Sequence, residues 1–409
     1  MYTFRTDISK EEFDAFAGKH AHHSIMQSSA WAAVKQEWNH LYCGVYKDGS
    51  LVAGALLLIR SLPLGMKFGY MPRGPLLGIT QPQLCKFFFE QLRQFGKKQR
   101  FVSIKFDPNV FHSYSIAQKE EAQQDRFPKL VQGLSELHIK HKGYLLDMYE
   151  ATQPRFQLCY TGSGELDSFP KKTREKITYA MEHGVEIERV DVQGVEDFSA
   201  MIAYTEKRQG IVLRDSAYFK TMMESFQDRA ILLLAYINHL AVIELLTKKK
   251  DALLAEYEAL PATAAKRKET LAKQQAKVEK NLQFAKERMA IDGSRVLVSG
   301  LLLVRDQTTT ELLYSGLNDV YRQYYAAYLL RYEAIRWAKE QGCERFNFGG
   351  VQGSLDDGLF EFKSSFHPQI DVYAGEFDLV IRTLPYIAIE QILPILKQWK
   401  LYLARKGKS

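Results

Sequence analysis

Two spacings of apolar residues alternate along this chain. At residues 41–60 apolar runs flank Lys47-Asp48-Gly49-Ser50, and an Asp-Gly pair between such runs predicts a β-hairpin. A strand is expected at 66–71. Residues 83–96 then carry Leu84, Phe87, Phe88, Leu92 and Phe95 at helical spacing, and 101–106 alternates toward Asp107-Pro108 as a strand ending in a turn. A similar order returns later in the chain: strands at 230–237, 295–304 and 311–314, a helix at 324–341, and a strand at 345–348. Hairpin, strand, helix, strand, met twice, predicts two related α/β units with mixed sheets. Two unrelated α/β units would give the same order.

Between the two strands of the second hairpin the period changes. Ile243, Leu246, Leu253, Tyr257 and Leu260 fall on one seam, and Leu271, Val278, Leu282, Ala285 and Met289 on another, with coiled-coil steps. Pro261 cannot sit inside a helix without losing a hydrogen bond and clashing, so the chain is expected to turn back at 260–265. The product is an antiparallel helical arm over 239–292, inserted in the second domain. The domains themselves are expected at 1–150, completed by 376–409, and at 151–375.

Composition places the chain among globular proteins, with 46% hydrophobic and 25% charged residues in 409. The formal net charge is +7, and most of it is local: residues 266–288 hold eight Lys or Arg against three Glu, a balance of +5. An elongated basic face suits a nucleic-acid backbone, and Lys266, Lys273, Lys277 and Lys280 are its candidate contacts. A solvated coiled-coil face would look the same. The four cysteines are scattered, without a CxxC pair, which favours thiols in a reducing compartment and gives no metal-ligand spacing. His22-His23 reads as a surface feature. No signal core or membrane-spanning apolar run is found, so a cytoplasmic location is expected. Residues 386–408 alternate Ile389, Ile392, Leu393, Leu396, Trp399 and Leu403 with Lys397, Lys400, Arg405, Lys406 and Lys408. This basic amphipathic pattern suits a helix packed on the first domain, or peripheral contact with the inner membrane face.

Several short motifs together resemble the Fem-type (FemABX) peptidoglycan bridge aminoacyltransferases, a family that includes the streptococcal MurM and MurN enzymes. They are Gln27-Ser28-Ser29-Ala30-Trp31-Ala32-Ala33-Val34-Lys35; Lys172-Thr173-Arg174 before a helix; Arg214 and Tyr218, four apart; and Arg345-Phe346-Asn347-Phe348-Gly349-Gly350-Val351-Gln352-Gly353 leading to Phe362-Lys363. The resemblance implies two GNAT-like acyltransferase domains, with the arm in the second. It implies transfer of an amino acid, alanine or serine favoured, from aminoacyl-tRNA to the lysine side-chain amine of a stem peptide. The acceptor would be UDP-MurNAc-pentapeptide or lipid II, and no cofactor is implied.

Carried over by position, Lys35, Arg214 and Tyr218 would hold the diphosphate and nearby sugar of the precursor. Cations and a phenol are natural donors to a diphosphate; a surface lysine and an Arg214–Asp215 ion pair are the plainer alternatives. Phe362-Lys363 would lie at the reacting centre, with Tyr314 on the preceding strand. Ester aminolysis builds negative charge on the carbonyl oxygen, which a positioned Lys363 would stabilise; contact with tRNA phosphates is its other assignment. The acceptor amine is protonated at neutral pH, and Asp107 is the candidate to orient it, or to take its proton. Pro72-Arg73-Gly74-Pro75 and Gly349-Gly350 suit close backbone approach, or simple turns.

Two other functions fit the same elements. One is an acyl-CoA-dependent N-acyltransferase, although the chain lacks the Arg/Gln-x-x-Gly-x-Gly/Ala turn that cradles a CoA pyrophosphate. The other is a non-catalytic protein holding RNA or a partner helix with the arm.

Overall fold

The structure is a computed structural model that describes residues 1–78, 81–209 and 214–390. These residues form two compact units. The first comprises Met1–Cys159, Gly349–Ser364 and the described residues from Pro368 to 390; the second comprises Tyr160–Phe348 and Ser365–His367.

In the first unit a seven-stranded sheet runs, in spatial order, Tyr2–Arg5, Asn39–Lys47, Ser50–Ser61, Lys67–Met71, Phe101–Phe106, Phe377–Val380 and Ile139–His141. The expected hairpin is there, its turn made by Asp48 at φ 51° and Gly49 at φ 83°. Positive φ at both central residues matches the twist of the flanking strands, which is why Asp-Gly serves so well. All pairings are antiparallel except Lys67–Met71 with Phe101–Phe106. Parallel neighbours need a long crossover, and helix Pro82–Lys98 supplies it, burying Leu84, Phe88, Phe89 and Leu92 on the sheet. Phe111–Ser115, Gln369–Tyr373 and Phe156–Tyr160 form a further antiparallel ladder.

The second unit repeats the plan. Ala230–Asn238 and Arg295–Arg305 pair antiparallel, Thr309–Leu317 joins them antiparallel, and helix Ala326–Glu340 crosses over to Arg345–Val351, whose first residues pair parallel with Thr309–Glu311. Each hairpin carries a register shift near the end where its strands are joined, between Val45 and Tyr46 in one unit and between Ala235 and Tyr236 in the other. Strand Val185–Val190 closes the outer edge.

The arm occupies the gap between the strands of the second hairpin. Helix His239–Ala259 starts at Asn238, whose side chain accepts from the Ala241 N–H, and helix Ala265–Asp292 returns after Pro261. Lys250 pairs with Glu279 and Arg267 with Glu256, fixing the antiparallel sense. Leu271, Val278, Leu282 and Ala285 are buried, as their spacing predicts, and Leu246 is buried on the facing helix. Lys172-Thr173-Arg174 stands inside a helix, Lys171–Glu182, rather than before one. Residues 383–390 are helical and dock on the first unit, where the Tyr386 hydroxyl donates to Asp378 over 2.8 Å and Lys142 meets Glu390. The rest of the basic amphipathic pattern, from 391 on, lies outside the described residues. Among the described residues no helix is long and apolar enough to cross a membrane.

The seam, not the surface ion pairs, holds the arm. Leu282→Ala is expected to cost roughly 2–5 kcal/mol in denaturant titration through lost burial and a residual cavity. Lys250→Ala, whose pair with Glu279 is about half exposed, is expected to cost under about 1 kcal/mol.

Candidate functional site

In the first unit the site is built around one buried carboxylate. Strand Phe101–Phe106 pairs parallel with Lys67–Met71 in a register that sets Phe106 opposite Met71. The next residues, Asp107 on one side and Pro72-Arg73 on the other, therefore emerge together. Asp107 is 2% exposed; one oxygen accepts the Tyr70 hydroxyl at 2.7 Å and the other the Arg73 N–H at 2.5 Å. Arg73 holds φ 52°, a left-handed conformation rare for a bulky residue. The turn is fastened from behind by Gln27, wholly buried, which donates to the Pro72 carbonyl at 2.7 Å and accepts from the Leu56 N–H at 2.8 Å. A Cβ on Gly74 would stand 2.7 Å from the Gln27 amide, so glycine is required there.

The Arg73 guanidinium stacks on Tyr373 at 3.9 Å and donates to the Pro154 carbonyl at 3.2 Å. Pro154 in turn leaves no space for a side chain at position 350, where a Cβ would come within 2.4 Å of its ring. The Gly350 carbonyl accepts the Lys363 ammonium at 2.8 Å. Asp107 and Lys363 are thus linked through Arg73, Pro154 and Gly350. Lys363 is 7% exposed, on helix Gly358–Ser364, whose first turn is capped by the Asp357 carboxylate accepting from the Phe360 N–H. Phe362 is half-buried beside it. Gln352 fastens the loop before that helix, accepting from the Met148 N–H and donating to Asp147.

The Gln27–Lys35 motif has a local explanation. Ser28 caps helix Ser29–Val34 by accepting from the Trp31 N–H, and Ser29 donates to Asp14 at 2.5 Å. Lys35 ends the helix with its ammonium 4.6 Å above the Trp31 ring, a cation–π placement on an otherwise buried indole.

In the second unit the structure gathers Arg214, Tyr218 and Tyr314. Asp215 spends its carboxylate capping helix Ser216–Phe226, accepting from the Tyr218 N–H at 2.9 Å. Arg214 lies 4.9 Å over the Tyr218 ring, and Tyr218 and Phe219 meet Tyr314 edge to face at 6.3 and 5.0 Å. Burial raises the Tyr314 hydroxyl above its ordinary pKa, against hydrogen bonds from Tyr218 and Arg214. Arg214 itself is exposed, while Tyr218 and Tyr314 are half-buried. Lys266, Lys273, Lys277 and Lys280 all stand on the exposed face of the arm and form no part of this cluster; Lys273 is paired with Glu269. Sequence reasoning missed Tyr70, Gln27 and Arg73 as the groups that hold Asp107 and its turn. Only the turn motif signalled Arg73.

The FemAB family model matches residues 8–393. The lipid II:glycine glycyltransferase of Staphylococcus aureus is 25% identical over 426 residues, covering 98% of each chain, and that of Staphylococcus haemolyticus is 25% identical over 430 residues, covering 99% of each. The crystal structure of FemX superposes with a TM-score of 0.74 over 95% of this chain and all of that one, at 23% identity, which shows a shared fold. By its sequence over nearly the whole length, the chain belongs to the FemAB family.

Proposed function

We propose that the protein is a tRNA-dependent aminoacyltransferase that builds the interpeptide bridge of peptidoglycan. It takes a small amino acid from aminoacyl-tRNA and joins it to the lysine side-chain amine of a precursor, lipid II or UDP-MurNAc-pentapeptide. The observation that carries this reading is the end-to-end similarity to relatives named for glycyl transfer to lipid II. Those names set glycine beside alanine and serine as the donor residue. The reaction belongs in the cytoplasm, and at the inner membrane face when the acceptor is lipid-linked.

In this step the amine attacks the ester carbonyl, an amide forms, the ester C–O bond breaks, and the tRNA hydroxyl leaves. Negative charge rises on the carbonyl oxygen. Lys363, a desolvated ammonium that donates to the Gly350 carbonyl, is our candidate to meet it, since a preorganised cation is worth most away from water. Phe362 borders the reacting centre. Arg214 and Tyr218, against which Tyr314 packs, are assigned to the diphosphate end of the acceptor, where the guanidinium and phenol supply several donors; Lys35 is a separate candidate cation for the acceptor. The arm lysines are assigned to the tRNA backbone.

Asp107 is the candidate to orient the amine and take its proton. Burial pushes its carboxyl up to about 6, against the Arg73 cation and the hydrogen bonds from Tyr70 and the Arg73 N–H. It is therefore ionised at neutral pH and able to accept a proton near it.

Three outcomes test these assignments in a transfer assay with labelled aminoacyl-tRNA and a lysine-containing precursor. Lys363→Met should lower kcat/KM by about a hundredfold or more while the melting temperature holds, in line with loss of one oxyanion donor; unchanged transfer would remove its assigned role. Arg214→Lys should raise KM for the acceptor roughly tenfold with kcat little altered, because the fork and not the charge is lost. The rate should fall as pH drops below about 6, and Asp107→Asn should be slow and lack that limb.

Stability gives an independent check on the same group. A folded pKa above the unfolded one means that neutral Asp107 favours the fold below about pH 4, and that this contribution is lost as pH rises through about 6. Relative to Asp107→Asn, the wild type should lose up to roughly 3 kcal/mol between those limits and neutrality, read as denaturant midpoints.

A further inference from the structure

Helix Lys171–Glu182 in the second unit turns three different faces outward and inward. Thr173, Ile177 and Ala180 are buried and pack it in place. Beside that face, Lys172, Lys176, Tyr179 and His183 follow one another at steps of four, three and four, which puts all four within an arc of about 60° at 100° per residue. None of the four is needed to fill the core: Lys172 is exposed and the other three are half-buried.

The stripe is widened by the entry to helix Ala326–Glu340. Tyr325, at φ 54°, meets Tyr179 edge to face at 5.5 Å, and Tyr328 follows at 6.1 Å. The Lys176 ammonium donates to the Tyr328 hydroxyl at 2.7 Å and lies 4.3 and 5.8 Å from the Tyr328 and Tyr325 ring centres. His183 stacks on Tyr179 at 3.7 Å, the two rings nearly parallel at 9°. The result is a row of aromatic faces bordered by Lys172 and Lys176.

The two ends of the row have neighbours that matter. At one end Tyr328 stacks on Phe366 at 5.5 Å, and Thr173 donates to the Ser365 carbonyl at 2.6 Å; these are the second and third residues after Lys363 in the chain. At the other, Gly184 leaves no space for a Cβ beside Val242 of the arm, and Lys249 of the arm is near enough for its charge to act on His183. Glu175 and Glu182 flank the stripe, and Glu175 stands 4.0 Å from Lys171.

Every base has a π-face, so aromatic rings interleaved with cations bind single strands with little regard to sequence. A duplex hides those faces. We infer that Lys172, Lys176, Tyr179, His183, Tyr325 and Tyr328 form a platform for single-stranded RNA, on which the unpaired 3′ end of the donor tRNA stacks. This rests on the tRNA-dependent reading above and locates its RNA more narrowly than the arm does. The strand runs from the neighbourhood of residues 365–366 to the base of the arm.

The test uses the full-length protein, a fluorescein-labelled seven-nucleotide RNA ending in CCA, and a blunt RNA duplex of the same length, read by anisotropy over a range of salt. Tyr179→Leu and Tyr328→Leu should each weaken the single strand by about 5- to 100-fold and leave the duplex unchanged. Lys172→Gln, an exposed substitution that leaves the core alone, should weaken binding and reduce the slope against log salt by about 0.7. Variants that melt normally and bind the single strand as the wild type does would overturn the platform. If the wild type lengthens a precursor from aminoacyl-tRNA and the variants keep its KM for tRNA, the platform is wrong and the bridge-building reading stands. If these residues bind the RNA but no precursor is lengthened by the wild type, the platform stands and that reading falls.

Discussion

The parallel pairing of Lys67–Met71 with Phe101–Phe106 is the constraint on which the first unit's site depends. Two strands that run side by side in the same direction end side by side, and each must then leave the sheet. Here one leaves through Pro72-Arg73-Gly74 and the other through Asp107, so a backbone N–H and a carboxylate meet without any long-range search. A slip of one residue would turn Asp107 to the other face and break both of its hydrogen bonds. The second unit has the same parallel step between Thr309–Leu317 and Arg345–Val351, and there the strand runs on into Gly349-Gly350 and the helix that carries Phe362-Lys363.

Burial does different work at the two charged centres. Around Asp107, desolvation and the loss of water raise the carboxyl, while Tyr70 and Arg73 keep the ionised form supplied with donors. At Lys363 the ammonium is nearly enclosed, and a backbone carbonyl accepts from it. A cation so held responds strongly to a negative charge that appears in reach, because little solvent reorganises around it. The Arg214 cluster is the reverse case, an exposed guanidinium braced by rings.

Much of the fold was legible because its signals are local. Asp48-Gly49 announced the first hairpin, the step pattern of Leu84 to Phe95 announced its crossover helix, and Leu271, Val278, Leu282 and Ala285 announced the arm; all are where their spacing puts them. The pairing of Arg214 with Tyr218 was legible through family resemblance, but Tyr314 was expected with Phe362-Lys363 and instead meets Tyr218, 96 residues before it in the chain. What escaped was the scaffold behind Asp107. Gln27, Tyr70 and Arg73 are common residue types, and nothing in their local sequence states that they converge on one carboxylate. Long-range pairing decides that, and single-sequence periodicity carries no trace of it. The aromatic row on helix Lys171–Glu182 lay hidden for a related reason: half of it comes from Tyr325 and Tyr328, far along the chain.

The proposed function requires that aminoacyl-tRNA, and no other activated acyl group, is the donor. Mass spectrometry of a lysine-containing lipid-linked precursor after incubation with the purified protein tests it directly, with aminoacyl-tRNA supplied in one reaction and acetyl-CoA in another. A precursor heavier by one amino acid on its lysine side chain is expected in the first reaction, a gain abolished by ribonuclease, and an unchanged precursor in the second. Acetylation from acetyl-CoA, with no gain from aminoacyl-tRNA, would contradict it.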